Sequence, residues 1–141
     1  MKITEIEAIP VRGVRDYVAS AGLETPQAAE TLPKTRALTS GYGSRRHVCA
    51  YPRGYQTTLV RVHTDAGISG VGEAHSPLAP QVSAAIVERV LAPALIGEDP
   101  RAIDVLWEKM YSTMRLRGHS TGFMTEAISG VDIALWDIRG K

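Results

Sequence analysis

Met124, Ala127, Ile128, Val131, Ala134, Leu135 and Ile138 recur at intervals of three and four, and this apolar stripe constrains the chain more than any other feature. The spacing predicts an α-helix with one face that has to be covered. Gly140 stands where a C-terminal stop belongs, and Arg139 and Lys141 place positive charge at the negative end of the helix dipole. The helix reads as complete while the surface it packs on does not, so the segment looks like a junction rather than an ending.

Upstream the periodicity changes character. Lys2 to Arg12 is rich in β-branched residues and ends near Pro10 and Gly13, which predicts a strand with imperfect alternation. Tyr55 to Thr64 and Ile68 to Ala74 predict two more strands, joined by Asp65-Ala66-Gly67, a three-residue turn in which glycine is free to take positive φ. From Pro80 the period becomes helical. Val82, Ala85, Ile86, Val90 and Leu91 suit one helix, and Pro100 opens a second carrying Ile103, Leu106, Trp107, Met110 and Met114. The expected fold class is α+β: a three-stranded antiparallel β-meander followed by a helical bundle. Gly13 to Gly54 lacks sustained periodicity, and a segment that long inside a compact domain is usually a functional lid or disordered. Thr25-Pro26-Gln27 could start a short helix within it.

Ala127-Ile128-Ser129-Gly130-Val131-Asp132-Ile133-Ala134-Leu135-Trp136-Asp137 closely resembles the signature helix of the mandelate racemase and muconate lactonizing enzyme family, within the enolase superfamily. The resemblance extends over Met1 to Val11, Tyr55 to Ala74 and Ala79 to Lys141, and is weak between Arg12 and Gly54. It implies an enolase N-terminal domain-like fold in which residues 1–120 form a capping domain with a long insertion at 13–54. Residues 121–141 then form a linking helix that leads towards a TIM barrel. A β/α barrel takes roughly 250 residues, so a chain of 141 residues holds one domain and not both.

In that superfamily a proton is removed next to a carboxylate, with bound Mg²⁺ stabilising the enediolate. The family's catalytic groups and metal ligands sit at the ends of barrel strands, so the resemblance assigns no catalytic residue and no metal ligand to this chain. It does assign a lid. One loop lies between the first two strands, here 13–54, and another follows the third, here His75-Ser76-Pro77-Leu78; both close over the barrel mouth and help select the substrate. The long loop holds Arg15, Lys34, Arg36, Arg45, Arg46 and Arg53 against Asp16, Glu24 and Glu30, with Tyr17, Tyr42 and Tyr51 interleaved. That charge balance suits a small-molecule carboxylate, which guanidinium groups grip bidentately, while tyrosine offers a polyhydroxy acid both a ring face and a hydroxyl. The candidate substrate-binding residues are Tyr42, Arg45, Arg46 and His75. Residue by residue, solvated or interfacial roles are the default for such side chains.

Other candidates carry less. His63 falls inside a strand and reads as a side chain on a sheet face. Arg115-Leu116-Arg117-Gly118-His119 joins two helices and could bind a neighbouring subunit. Asp132 and Asp137 are about 140° apart around a helix and share no face, so structural or interfacial roles fit them best. Gly67-Ile68-Ser69-Gly70-Val71-Gly72 has the glycines of a phosphate loop, but it enters a strand and lacks the Lys-Ser/Thr ending.

Composition adds bounds. With 44% hydrophobic and 22% charged residues the chain is an ordinary globular one, and a net charge of +1 gives no global reason to bind nucleic acid or an anionic membrane. The single cysteine, Cys49, cannot form an internal disulfide, and neither a signal sequence nor a long apolar run occurs, which favours the cytoplasm. Two functions remain in view. The first is the specificity cap of a Mg²⁺-dependent dehydratase or racemase for a hydroxy acid or sugar acid, in a parent enzyme expected by resemblance to be a homo-oligomer. The second is a complete non-catalytic module that binds a partner or an anionic ligand through the basic loop. A self-contained module should cover the last helix and Trp136 from within, whereas a cap should leave apolar surface exposed beside Lys141.

Overall fold

The computed structural model describes residues 1–16 and 54–141. Tyr42, Arg45, Arg46 and the helix start expected at Thr25 lie outside the described residues. The chain divides into two compact units, one formed by Met1–Arg12 with Gln56–Lys141 and the other by Gly13–Tyr55.

Three strands come first: β1 (Ile3–Asp16), β2 (Gly54–Thr64) and β3 (Ser69–Ala74), in the sheet order β1-β2-β3 with antiparallel pairing. β1 runs past Gly13, where the chain lies close against Tyr55, a use of glycine that permits near backbone approach within a strand. The hairpin closes as its residues predict. Thr64 N–H and Oγ1 both donate to Ile68 O, and Gly67 takes φ +75°. In the resulting register Thr58 faces Ala74, Val60 faces Gly72 and Val62 faces Gly70.

The helical layer consists of α1 (Pro80–Ile86), a π-helical turn (Val87–Leu91), α2 (Ala92–Leu95), α3 (Ile103–Arg115) and α4 (Phe123–Gly140). The face of α1 differs from the expected one. Val82 and Ala85 are exposed and Ile86 and Val90 half-buried, while Pro80, Ser83, Ala84, Val87, Leu91 and Leu95 point inward. This segment is apolar on two sides, so periodicity alone could not choose between them, and packing against α4 did. The second helix opens at Ile103 after an Ala102 cap, not at Pro100, which is buried in the preceding turn; Trp107 lies outside the core and stacks on Tyr111 at 5.2 Å. Its end is a Schellman-type stop, in which His119 N–H reaches Met114 O, Gly118 N–H reaches Arg115 O, and Gly118 takes φ +84°.

The α4 stripe is buried as its spacing requires, but its partner is this chain's own sheet rather than an external surface. Val60, Val62, Leu91, Leu106, Met110, Val131 and Leu135 form the centre of the core. Glycines decide how closely α4 approaches. A Cβ on Gly72 would lie 2.8 Å from Ala134 N and nearer still to Gly130 O, and a Cβ on Gly70 would press on Ala134 O. The glycine run that superficially resembles a phosphate loop is therefore a bed for the signature helix.

The same helix caps the free edge of the sheet. Val71 N–H donates to Asp137 Oδ2 at 2.9 Å, and Lys141 Nζ donates to Ser69 O and to Asp137 Oδ2, both at 2.7 Å. These bonds satisfy backbone groups that an edge strand otherwise offers to other chains. Gly140 stays inside the helix and Lys141 is the cap, so the lysine serves a strand carbonyl as well as the helix dipole.

Candidate functional site

β2 begins and β3 ends at one end of the sheet, because Thr58 pairs with Ala74. The His75–Ala79 loop leaves β3 at this end. Hydrogen bonds hold this end in place. Thr57 Oγ1 donates to Glu73 Oε1 at 2.7 Å, and Thr58 Oγ1 donates to Pro80 O at 2.6 Å. Ser76 is fully buried although it belongs to a loop. Its Oγ lies 3.1 Å from Ala74 O and bonds Ser83 Oγ of α1, which in turn donates to Glu126 Oε2 of α4 at 3.4 Å.

His75, the one candidate substrate contact among the described residues, projects from this anchored backbone. Its side chain is 74% exposed, and Nδ1 lies 3.9 Å from Glu73 Oε1. An exposed imidazole next to a fixed backbone can donate to a carboxylate or exchange hydrogen bonds with hydroxyls, and it carries little packing of its own. Sequence spacing did not reveal Ser76, Ser83 or Glu126. The available signal was a serine at an inward position of α1, and it becomes visible only once the buried face of that helix is known.

His63 has a partner that its sequence neighbourhood did not suggest. Its Nε2 lies 3.3 Å from Glu7 Oε2, which also lies 3.7 Å from Arg61 Nη1. With Glu5, these groups bring three possible ligand atoms within 4.8 Å of one another on the outer face of the sheet. Magnesium prefers an octahedron of hard oxygen ligands. This cluster mixes an imidazole with two carboxylates, one already engaged by a guanidinium, so it does not fit that ion. No other group of this kind occurs among the described residues.

The two aspartates of the signature helix have opposite electrostatics. The Lys141 ammonium and then the Val71 N–H hold Asp137 below the usual carboxylate range. Burial and then the nearby Asp104 carboxylate push Asp132 up. On the outer side of α4, Ile133 and Trp136 are exposed at 45% and 50%, with the Arg139 guanidinium 5.1 Å above the Trp136 ring. The outcome is split relative to the expectation for a cap: the main stripe is covered from within, and a second apolar face beside Lys141 is not. Among the described residues no helix is long and apolar enough to cross a membrane.

Comparison with known proteins agrees with this geometry. The chain is 42% identical over 131 residues to D-galactarolactone cycloisomerase from Agrobacterium fabrum, covering 93% of this chain and 29% of that protein. It is 45% identical over 87 residues to D-xylonate dehydratase from Haloferax volcanii, covering 62% of this chain and 20% of that protein. A solved enolase-superfamily structure from Agrobacterium tumefaciens superposes with a TM-score of 0.73 at 30% identity, over 98% of this chain and 34% of that one. The chain thus spans between about a fifth and a third of the length of the relatives it matches. Residues 29–141 match the family model of the mandelate racemase / muconate lactonizing enzyme, N-terminal domain, and the chain belongs to that family.

Proposed function

We propose that this domain is the substrate cap of a Mg²⁺-dependent enzyme that removes the proton alpha to a carboxylate, acting as a dehydratase or racemase on a sugar acid or hydroxy acid. The observation that carries this reading is family membership together with relatives named as a sugar-acid dehydratase and a sugar-lactone cycloisomerase. On this reading residues 1–120 are the cap and 121–141 lead towards a C-terminal barrel, which supplies the base and the magnesium ligands. The 13–54 segment, with Tyr42, Arg45 and Arg46, and the loop bearing His75 contact the substrate. Closing such loops excludes water and strengthens electrostatic interactions with the developing anion. The protein works in the cytoplasm as a homo-oligomer.

For dehydration the balance is simple. A base takes the Cα proton, its electron pair enters the carboxylate as an enediolate, and the β-hydroxyl takes a proton from a general acid and leaves as water as the enediolate collapses to an enol. The enol then tautomerises to a 2-keto-3-deoxy acid. The exposed Ile133 and Trp136 support a cap that docks on further protein over a self-contained binding module.

The test is incubation of the full-length protein with Mg²⁺ and a panel of sugar acids that includes D-xylonate and D-galactonate. Solvent deuterium incorporation at Cα reads proton abstraction, and keto-acid formation reads dehydration. Deuterium at Cα of the recovered acid, keto-acid formation, or both, is the expected result. No exchange and no product from any acid in the panel overturns the reading.

A further inference from the structure

We propose that Ser83 and Glu126 are positioning residues that set the His75 imidazole over the substrate by anchoring Ser76; this rests on the cap reading above. Ser76 is the residue next to His75, and it is fully buried in a loop whose neighbours His75 and Leu78 are not. Ser83 occupies an inward position of α1, in line with Pro80, Ala84 and Val87, where an apolar side chain would serve packing alone. Burying two hydroxyls there is unfavourable unless both are bonded. Both are, and no side-chain nitrogen or oxygen is left buried without a partner among the described residues.

The bonds run in one direction across the fold: Ser76 Oγ donates to Ser83 Oγ, and Ser83 Oγ donates to Glu126 on α4. α4 is the element packed most tightly on the sheet, through Gly70, Gly72 and Gly130. The far end of the loop is tied separately, by Thr58 Oγ1 on Pro80 O. The loop is therefore held at both ends to rigid elements, while the side chain between them stays in solvent. A fully satisfied buried polar chain of this kind specifies geometry more than it adds stability. The backbone at His75 is fixed by it, so the imidazole starts from a set place when substrate arrives.

Ser83→Ala cuts the tie and leaves Ser76 its Ala74 O partner. In the full-length enzyme, kcat and KM are measured for His75→Ala, Ser83→Ala and the double variant with the sugar acid the wild type turns over best. His75→Ala is expected to raise KM about tenfold, the effect of one lost hydrogen bond to a charged group. Ser83→Ala should raise KM about fivefold with kcat within about twofold, and the double variant should match His75→Ala, because residues acting through one another do not add. Additive effects, or an unchanged KM in Ser83→Ala while His75→Ala is impaired, overturn this inference and leave the cap reading intact. A silent His75→Ala removes the substrate contact itself and the inference with it. Glu126 is half-buried and gives a second route should Ser83→Ala not fold: Glu126→Ala should reproduce the KM rise and Glu126→Gln, which keeps an acceptor oxygen, should restore wild-type behaviour. A Glu126→Gln variant as impaired as Glu126→Ala also overturns it.

Discussion

Gly130→Ala places the same methyl group on α4 as Gly140→Ala, and the structure gives the two substitutions opposite signs. The added Cβ at Gly130 would lie 2.9 Å from Ala74 Cβ, Ala74 N and Val60 Cγ2 alike. Carbon atoms rest at about 3.5–4.0 Å, so helix and strand must part by about 0.6 Å or more. Ala74 and Val60 are fully buried, and Ala74 N is backbone, so no flexible side chain can yield. Overpacking of a core costs about 1–3 kcal/mol, and a clash against backbone belongs at about 3. Replacing a mid-helix glycine by alanine returns about 1 kcal/mol of helix propensity. The net expectation is a loss of about 2 kcal/mol, which at about 4 °C per kcal/mol lowers the midpoint by about 8 °C. At Gly140 nothing lies within 4 Å of the new methyl. Only the propensity remains, reduced at a helix end to about 0.5 kcal/mol of stabilisation. Thermal unfolding of the 141-residue chain, followed by far-UV circular dichroism, checks both. A Gly130→Ala chain as stable as wild type would refute the packing reasoning.

Asp137 has a folded pKa below its unfolded one, so its contribution is present above the unfolded pKa near 4 and is lost as pH falls through the lower folded value. The thermal midpoint of Asp137→Asn should therefore lie below wild type at pH 7 and converge with it in acid; parallel profiles contradict the edge-capping role. Asp132 has the opposite sign. Its raised folded pKa means that its unfavourable contribution is present above that value and relieved as pH falls through it, so Asp132→Asn should raise the midpoint at pH 7 and lose that advantage in acid. Ile133→Glu should scarcely change unfolding of this chain, because the side chain is already half in water, yet it should abolish activity or solubility of the full-length enzyme. Equal activity there removes the docking face.

Local order was legible because it depends on local spacing. The turn at Asp65-Ala66-Gly67, the three strands and the α4 stripe each follow from period and turn chemistry within a few residues, and the eleven-residue run of the signature helix pointed to the family. The strand and helix limits that moved, at Gly13 and Pro100, are places where a neighbouring strand or a buried turn overrode the local signal.

What the tertiary structure alone decided concerns partners far apart in the chain. Two faces of α1 were apolar, and only packing against α4 selected the one that carries Ser83 inward. Gly70 and Gly72 became a bed for Gly130 and Ala134 because strand and helix meet backbone to backbone, a fact that no glycine spacing encodes. Asp137 and Lys141 became an edge cap, His63 gained Glu7, and Ser76 was tied to Glu126 through Ser83, each across dozens of residues. Periodicity records which side of an element is buried; which groups then meet there is set by how the elements pack, and hydrogen bonds between distant residues form only after that choice is made.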